Sequence, residues 1–315
     1  ICGKVYRKLY PPRKLIVIYG SHQAETLVNK MCRRTDKYII CASVNASESI
    51  NNAVEMINEY EGVIICDVPD KTRNFLLKYC FANSIRVYIT PKISDIIIRG
   101  AAEVDLFDTP LLVCRNNGFT FEDRLFKRFF DIVFSLAAII ITSPVMLACA
   151  IAVKKHDGGR VFYRQKRLTE GGREFYVCKF RSMVADAEKD GIPQLAEEND
   201  ERVTPVGAFM RKYRIDELPQ FFNVLKGDMS VVGPRPERPE LTEKYSRDMP
   251  EFRFRLAVKA GITGFAQVTG LYNTLPYDKL KMDLMYIENY SVFTDLKIIF
   301  MTVKTMLFPP KDGEI

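Results

Sequence analysis

Asp216 and Glu217 stand side by side in the stretch Arg211-Lys212-Tyr213-Arg214-Ile215-Asp216-Glu217-Leu218-Pro219-Gln220. Pro219 is tolerated only in the first turn of a helix. The apolar positions Phe221, Phe222, Val224 and Leu225 continue that helix. Both carboxylates therefore sit at or just before a helix N-terminus, which stabilises negative charge and attracts phosphate. Adjacent residues do not point the same way, so the pair is suited to two jobs. One acid could be a nucleophile and the other a ligand for Mg²⁺, which is typically held by one or two carboxylates plus substrate phosphates. A charged helix cap would give the same local pattern. Arg211, Lys212 and Arg214 lie within reach upstream.

Other cations suit phosphate. Alternation along the strand-like run ending in Lys179-Phe180-Arg181-Ser182-Met183 puts Lys179 and Arg181 on one face. Paired cations there suit a diphosphate, and equally a solvated strand face. Arg235 is held between two prolines in Gly233-Pro234-Arg235-Pro236, so a stiff backbone presents a side chain able to grip phosphate with two hydrogen bonds. Ala260-Gly261-Ile262-Thr263-Gly264 forms another tight turn, and 277–307 reads as a helical region carrying Asp283, Glu288 and Asp295. Residues 187–202 are polar and acidic around Gly191 and Pro193, and read as a lid or a plain surface loop.

The elements that position these residues include a membrane segment. Residues 132–153 are 22 consecutive positions without a charge. A continuous helix of that length reaches about 33 Å, against about 30 Å of bilayer core. Ser143-Pro144 sits in the middle, where proline bends or breaks a helix. Arg124, Lys127 and Arg128 precede the segment, and Lys154 and Lys155 follow it. Positive charge stays on the cytoplasmic side, so two basic flanks predict a re-entrant helix-break-helix rather than a span. A buried core helix is the alternative.

The N-terminal part alternates strand-like and helical runs. Strands are expected at 15–19, 38–42, 62–67 and 86–89, with helices at 21–34, 47–60 and 72–83 between them. That order predicts a parallel sheet covered on both faces. Gly20 closes the first strand, but Gln23 and Glu25 stand where a dinucleotide fingerprint needs glycines. The scaffold is expected to bind no dinucleotide. Polar residues 114–120 mark the boundary between an accessory domain at 1–118 and a second domain at 119–315.

The 315 residues agree with two domains. Hydrophobic residues at 47% and charged residues at 27% exclude disorder, collagen and coiled coil. Lys plus Arg number 46 and Asp plus Glu 39, a net charge of +7 that favours anionic partners. Eight scattered cysteines, none in a C-x-x-C, read as reduced and mostly buried. Only His22 and His156 are histidines, which excludes His-rich metal clusters. Residues 1–14 are basic and read as a linker; the chain starts at Ile1 and shows no signal peptide.

From about 124 to 308 the chain resembles the bacterial sugar transferases, the monotopic polyprenyl-phosphate glycosyl-1-phosphate transferases. The matching pieces are Lys127-Arg128-x-x-Asp131, Ser143-Pro144, Lys179-Phe180-Arg181-Ser182-Met183 and Asp216-Glu217-Leu218-Pro219-Gln220. Asn223 through Ser230, Val232 through Pro236, Gly261-Ile262-Thr263-Gly264 and Tyr286 through Leu296 also match. Residues 15–113 are similar to the Rossmann-like, CoA-binding-like domain of the family's large members. The resemblance implies transfer of a sugar-1-phosphate, a hexose such as galactose or glucose, from a UDP-sugar to undecaprenyl phosphate. It implies Asp216 as the nucleophile that forms a covalent phosphosugar, and Glu217 as the Mg²⁺ ligand. It gives Lys179, Arg181, Arg211 and Arg235 to substrate phosphates. Lys127, Arg128, Asp131, Ser143 and Pro144 fall to the membrane and polyprenyl side, with a re-entrant helix at 129–153 on the inner membrane leaflet. Gly159-Arg160, Thr169 and Ala260 depart from the family's usual loop residues.

The expected fold is thus α/β, a Rossmann-like parallel-sheet domain followed by an α/β monotopic membrane domain. A membrane-tethered nucleotide-binding regulator is the alternative function. Nucleic acid is not an expected partner, since no recognition module is present. The N-terminal domain could serve as a homodimerisation or regulatory surface.

Overall fold

The computed structural model describes residues 11–307, apart from 21–22, 33–34, 47–49, 107, 115–117, 185–201 and 271–273. The expected basic linker at 1–14 and the loop at 187–202 therefore fall almost wholly outside the described residues. The chain forms two compact units, Ile1–Lys92 and Ile93–Ile315. The sequence places the boundary farther downstream, at 118.

The first unit holds β1 (Arg13–Tyr19), α1 (Gln23–Cys32), β2 (Tyr38–Asn45), α2 (Ile50–Ile57), β3 (Gly62–Cys66), α3 (Asp70–Ala82) and β4 (Arg86–Ile89). All four strands are parallel, in the order β2-β1-β3-β4. β1 and β3 are central because their unbroken apolar runs tolerate burial on both faces; Leu15 through Ile18 and Val63 through Ile65 are buried. Ile16, Ile18, Val63 and Ile65 pack with Ala53, Ile57, Leu76 and Cys80 of α2 and α3. Leu15, Val17 and Ile64 pack with Leu27, Val28 and Met31 of α1 on the opposite face. A Cβ on Gly20 would lie 2.3 Å from the Asp67 carbonyl oxygen, so chain packing accounts for this glycine.

The second unit begins with α4 (Ile93–Arg99), the antiparallel pair β5 (Ala102–Leu106) and β6 (Thr109–Val113), and α5 (Phe121–Asp157). Next come the antiparallel hairpin β7 (Phe162–Leu168) and β8 (Glu174–Phe180), α6 (Pro205–Lys212), a 3₁₀ turn (Ile215–Glu217) and α7 (Gln220–Lys226). The chain continues through β9 (Ser230–Val232), α8 (Pro239–Asp248), a 3₁₀ stretch (Pro250–Ala257), β10 (Gly261–Thr263) and α9 (Phe265–Thr269). It closes with α10 (Pro276–Glu288) and α11 (Val292–Leu307). The helical region expected at 277–307 is thus two helices. Asn289 donates to the Met285 carbonyl, and Ser291 Oγ accepts from the Thr294 amide, so side chains end one helix and start the next. The core gathers Val224, Met229, Val231, Phe252, Leu280, Leu284 and Ile298. Cysteine burial is split rather than general: Cys66 and Cys80 are buried, whereas Cys32, Cys41 and Cys114 are exposed.

α5 is 37 residues long, and its apolar window has a mean hydropathy of 2.5 with only 6% covered by protein. It is long and apolar enough to cross a membrane. It continues through Pro144, so the break expected there is absent from the helix assignment. Pro144 offers no amide to the Ile140 carbonyl, and the Ser143 hydroxyl donates to that oxygen at 2.9 Å instead.

Both ends of α5 pack on the second unit. Near its start, Lys127 donates to Asp295 of α11 at 2.7 Å, and both are buried. Arg128 donates to the Val224 and Leu225 carbonyls of α7. Asp131 accepts from the Ser230 hydroxyl and the Val231 amide of β9. Near its end, Met146, Cys149, Ala150 and Val153 pack on Phe180, Val206, Met210 and Ile215. The cations expected to meet lipid headgroups are largely engaged with protein. Arg124 bonds the Phe119 carbonyl and pairs with Glu170, and Lys154 bonds the Gly158 carbonyl beyond the helix end.

Removing one partner of a buried pair costs about 3–5 kcal/mol, whereas replacing both by apolar residues is often neutral. Asp295→Ala should lower the Tm by about 10 °C. The double variant Lys127→Met/Asp295→Leu should recover most of that loss in a thermal melt.

Candidate active site

Asp216 and Glu217 occupy the 3₁₀ turn just ahead of α7, as the proline at 219 requires. The turn opens on Arg214 with φ 53°, a left-handed conformation that costs energy for a residue other than glycine. Both carboxylates are buried, at 8% and 9% exposure.

Two uncompensated charges cannot stay buried, and cations from two other elements face them. Lys179, on β8, donates to Glu217 Oε1 at 2.5 Å. The Arg235 guanidinium approaches the same oxygen at 3.8 Å. Burial pushes Glu217 toward the neutral acid, but Lys179, Arg235 and Arg214 outweigh it and hold the carboxyl at about 2. Burial and the neighbouring Glu217 charge push Asp216 up to about 6, against the pull of Lys179 and Arg211. Neighbouring acids with opposite shifts are suited to different roles.

The cations are placed by hydrogen bonds remote from the carboxylates. Asn223 of α7 accepts from the Cys178 amide and donates to the Tyr176 carbonyl, fixing the edge of β8 beside the acids. Arg235 follows β9 in a turn where glycines let backbones meet. A Cβ on Gly233 would lie 2.4 Å from the Lys259 carbonyl oxygen, and one on Gly261 would lie 2.1 Å from the Gly233 nitrogen.

Of the four cations expected at phosphate, Lys179 and Arg235 contact the pair, and Arg211 acts on Asp216 through its charge from the last turn of α6. Arg181 diverges. β8 ends at Phe180, so strand alternation no longer governs Arg181, whose guanidinium lies over Gly159. Lys127, Arg128 and Asp131 fasten α5, and Ser143 and Pro144 lie at its middle. Sequence reasoning did not identify Asn223, Gln267, Arg255 or Arg167 as parts of this neighbourhood. Gln267 Oε1 accepts from Arg235 at 3.4 Å. Only the turn glycines nearby could have pointed to that contact. On either side of 185–201, which lie outside the described residues, Met183 bridges Val203 and the Val184 amide donates to the Arg202 carbonyl.

Among the described residues, no group of three His, Cys, Asp or Glu side chains could hold a metal ion by itself. A one-carboxylate site remains compatible with the geometry. Both cations contact Oε1 of Glu217, which leaves Oε2 for a metal whose other ligands are substrate oxygens and water.

The bacterial sugar transferase family matches residues 122–309. A UDP-N-acetylgalactosamine-undecaprenyl-phosphate N-acetylgalactosaminephosphotransferase of Aeromonas hydrophila is 45% identical over 58% of this chain and 43% of its own length. A UDP-glucose:undecaprenyl-phosphate glucose-1-phosphate transferase of Klebsiella pneumoniae is 44% identical over 65% of this chain and 43% of its own. An undecaprenyl-phosphate glucose phosphotransferase of Komagataeibacter xylinus is 30% identical over 94% of this chain and 59% of its own. The chain thus spans about half the length of these relatives. The match covers the carboxylate pair, its cations and the long apolar helix, and the chain belongs to the bacterial sugar transferase family.

Proposed function

We propose that this chain carries the catalytic part of a phosphoglycosyl transferase. The enzyme moves a sugar-1-phosphate from a UDP-sugar to undecaprenyl phosphate and releases UMP, as an early membrane step of exopolysaccharide, capsule or O-antigen synthesis. The observation that carries this reading is the pair of adjacent buried carboxylates faced by Lys179 and Arg235, next to a long exposed apolar helix. The names of the relatives supply the lipid acceptor and the nucleotide-sugar donor.

In this mechanism Asp216 attacks the phosphorus that bears the sugar. An Asp216 oxygen–phosphorus bond forms, the bridging phosphoanhydride bond breaks, and UMP departs with the electron pair. A phosphate oxygen of the lipid then attacks the same phosphorus and displaces the carboxylate. Lys179 and Arg235 hold the diphosphate oxygens and spread the charge that develops on them. Arg211 favours the ionised form of Asp216, and Arg181 is proposed to serve substrate phosphate from its place beside Gly159. Glu217 is the proposed Mg²⁺ ligand, through Oε2, and the ion would neutralise diphosphate charge when bound.

The lipid acceptor requires access to a bilayer. α5 packs on the second unit at both ends, and a bend at Pro144 without loss of helix would let it enter and leave one leaflet. The site then lies on the cytoplasmic face of the inner membrane, the side that nucleotide sugars reach. The parallel order β2-β1-β3-β4, with helices on both faces, supports a Rossmann-like accessory domain.

UMP release from UDP-Glc, UDP-Gal, UDP-GlcNAc and UDP-GalNAc, with undecaprenyl phosphate and Mg²⁺, tests the reading; release from none of them would sink it. Asp216→Asn should lower the rate at least about a thousandfold. The same variant should be more stable. The Asp216 pKa is raised above its ordinary 3.8, so its stabilising neutral form is lost as pH rises through about 6. In metal-free buffer at pH 7, Asp216→Asn should melt about 5 °C above the parent, with the gain shrinking toward pH 4. Re-entry predicts that Glu122→Cys and Lys155→Cys are labelled from the same side of vesicles. Labelling from opposite sides would indicate a span.

A further inference from the structure

We infer that Arg255 and Asp283 are positioning residues for Arg235, acting through the main chain of the turn at 233–237. The inference rests on the proposed transfer reaction, in which Arg235 grips the donor diphosphate.

Four successive carbonyls of this turn are pinned. Pro234 O accepts from the Gly261 amide at 2.9 Å, and Glu237 O accepts from the Leu168 amide at 3.0 Å. Between them, Arg235 O accepts from Arg255 Nη2 at 3.0 Å, and Pro236 O accepts from Arg167 Nη1 at 3.2 Å. Pro234 and Pro236 fix their own φ angles. The Arg235 side chain, by contrast, is half exposed, with Gln267 at 3.4 Å and Glu217 at 3.8 Å beside it. The main chain therefore sets where this side chain starts.

Arg255 is the unusual member of this set. It is 4% exposed, and its Nη2 also lies 2.7 Å from Asp283, which is 1% exposed on α10. Its Nη1 lies 3.6 Å from Glu237, and its guanidinium stacks 4.9 Å from the centre of the Phe252 ring. A buried ion pair is a poor way to gain stability, because apolar residues of similar volume often do as well or better. What apolar residues cannot do is donate to the Arg235 carbonyl while anchored on another helix. A guanidinium can, since its donors form a rigid planar fork. Asp283 pairs with Nη2, the same Nη2 donates to the Arg235 carbonyl, and the carbonyl fixes where the Arg235 side chain starts. A displacement of about 1 Å at a reacting group costs up to about a hundredfold in rate.

The test uses the full chain in lipid, with Asp283→Asn, Arg255→Lys, Arg235→Ala and the double variant Asp283→Asn/Arg235→Ala. Arg255→Lys keeps a positive charge beside Asp283, but its ammonium ends one bond short of Nη2, the atom that meets both partners. It serves if Asp283→Asn fails to fold. Each positioning variant should lower kcat/KM for the UDP-sugar by about tenfold to a hundredfold. The double variant should fall no further than Arg235→Ala alone, because the brace acts only through Arg235. Wild-type rates, or losses that multiply, would overturn the inference. A second measurement does not depend on turnover. Hydrogen exchange at the Gly261 and Leu168 amides should speed up at least about tenfold in both positioning variants, with β1 and β3 unchanged. Unchanged exchange at those two amides would refute the brace. If the wild-type chain released no UMP from any UDP-sugar, the transfer reading would fall, and exchange would still judge the brace.

Discussion

The need to keep two adjacent carboxylates charged inside protein governs much of the second unit. Asp216 and Glu217 are consecutive, so their mutual repulsion cannot be relieved by moving one away, and burial removes the water that would screen it. Only cations delivered from elsewhere can hold them. Lys179 comes from a strand and Arg235 from a glycine-proline turn, and each is stabilised by contacts that serve placement. Asn223 ties the strand to the helix that follows the acids. The backbone contacts of Gly233 and Gly261 bring the turn close enough for its arginine to reach.

α7 joins this site to the apolar helix. Its start follows Glu217, its middle carries Asn223, and its end receives Arg128 from α5 on the Val224 and Leu225 carbonyls. Those carbonyls belong to the last turn of the helix, where oxygens lack partners within it. Ile215, next to Asp216, packs on the other end of α5. The helix with the greatest apolar exposure is therefore attached on both sides of the carboxylate pair. α5 and the carboxylate pair thus share α7 and Ile215 as common supports.

Local patterns made some of this legible in the sequence. Unbroken apolar runs identified β1 and β3, since only burial on both faces rewards such runs. The proline at 219 placed Asp216 and Glu217 ahead of a helix. What stayed hidden were partnerships between distant residues. Lys127, Arg128 and Asp131 read as a charged flank of a membrane segment, yet their partners Asp295, Val224 and Val231 lie far along the chain. Asp283 read as an ordinary charge in a helical region, and nothing local in the sequence marks Arg255 as its buried partner. Alternation predicts a face only while the strand lasts, and β8 ends at Phe180, one residue before Arg181.

The charge balance at the site gives a last constraint. Among the described residues, Lys179, Arg211, Arg214 and Arg235 stand out among the cations that act on the pair. Against two carboxylates they leave a surplus of two positive charges, before any metal ion is counted. An isolated surplus of that size in a half-buried site is unfavourable. In the proposed transfer, the diphosphate bridge of the donor, with one negative charge on each phosphate, would balance it. Lys179 and Arg235 both sit on a single oxygen of Glu217, so an entering diphosphate competes for cations already in place. Binding then exchanges one anion for another around fixed cations, and little reorganisation is left for the chemical step. The same cations keep Glu217 ionised despite burial, while burial and the Glu217 charge leave Asp216 the more basic carboxylate, as its proposed nucleophilic role requires.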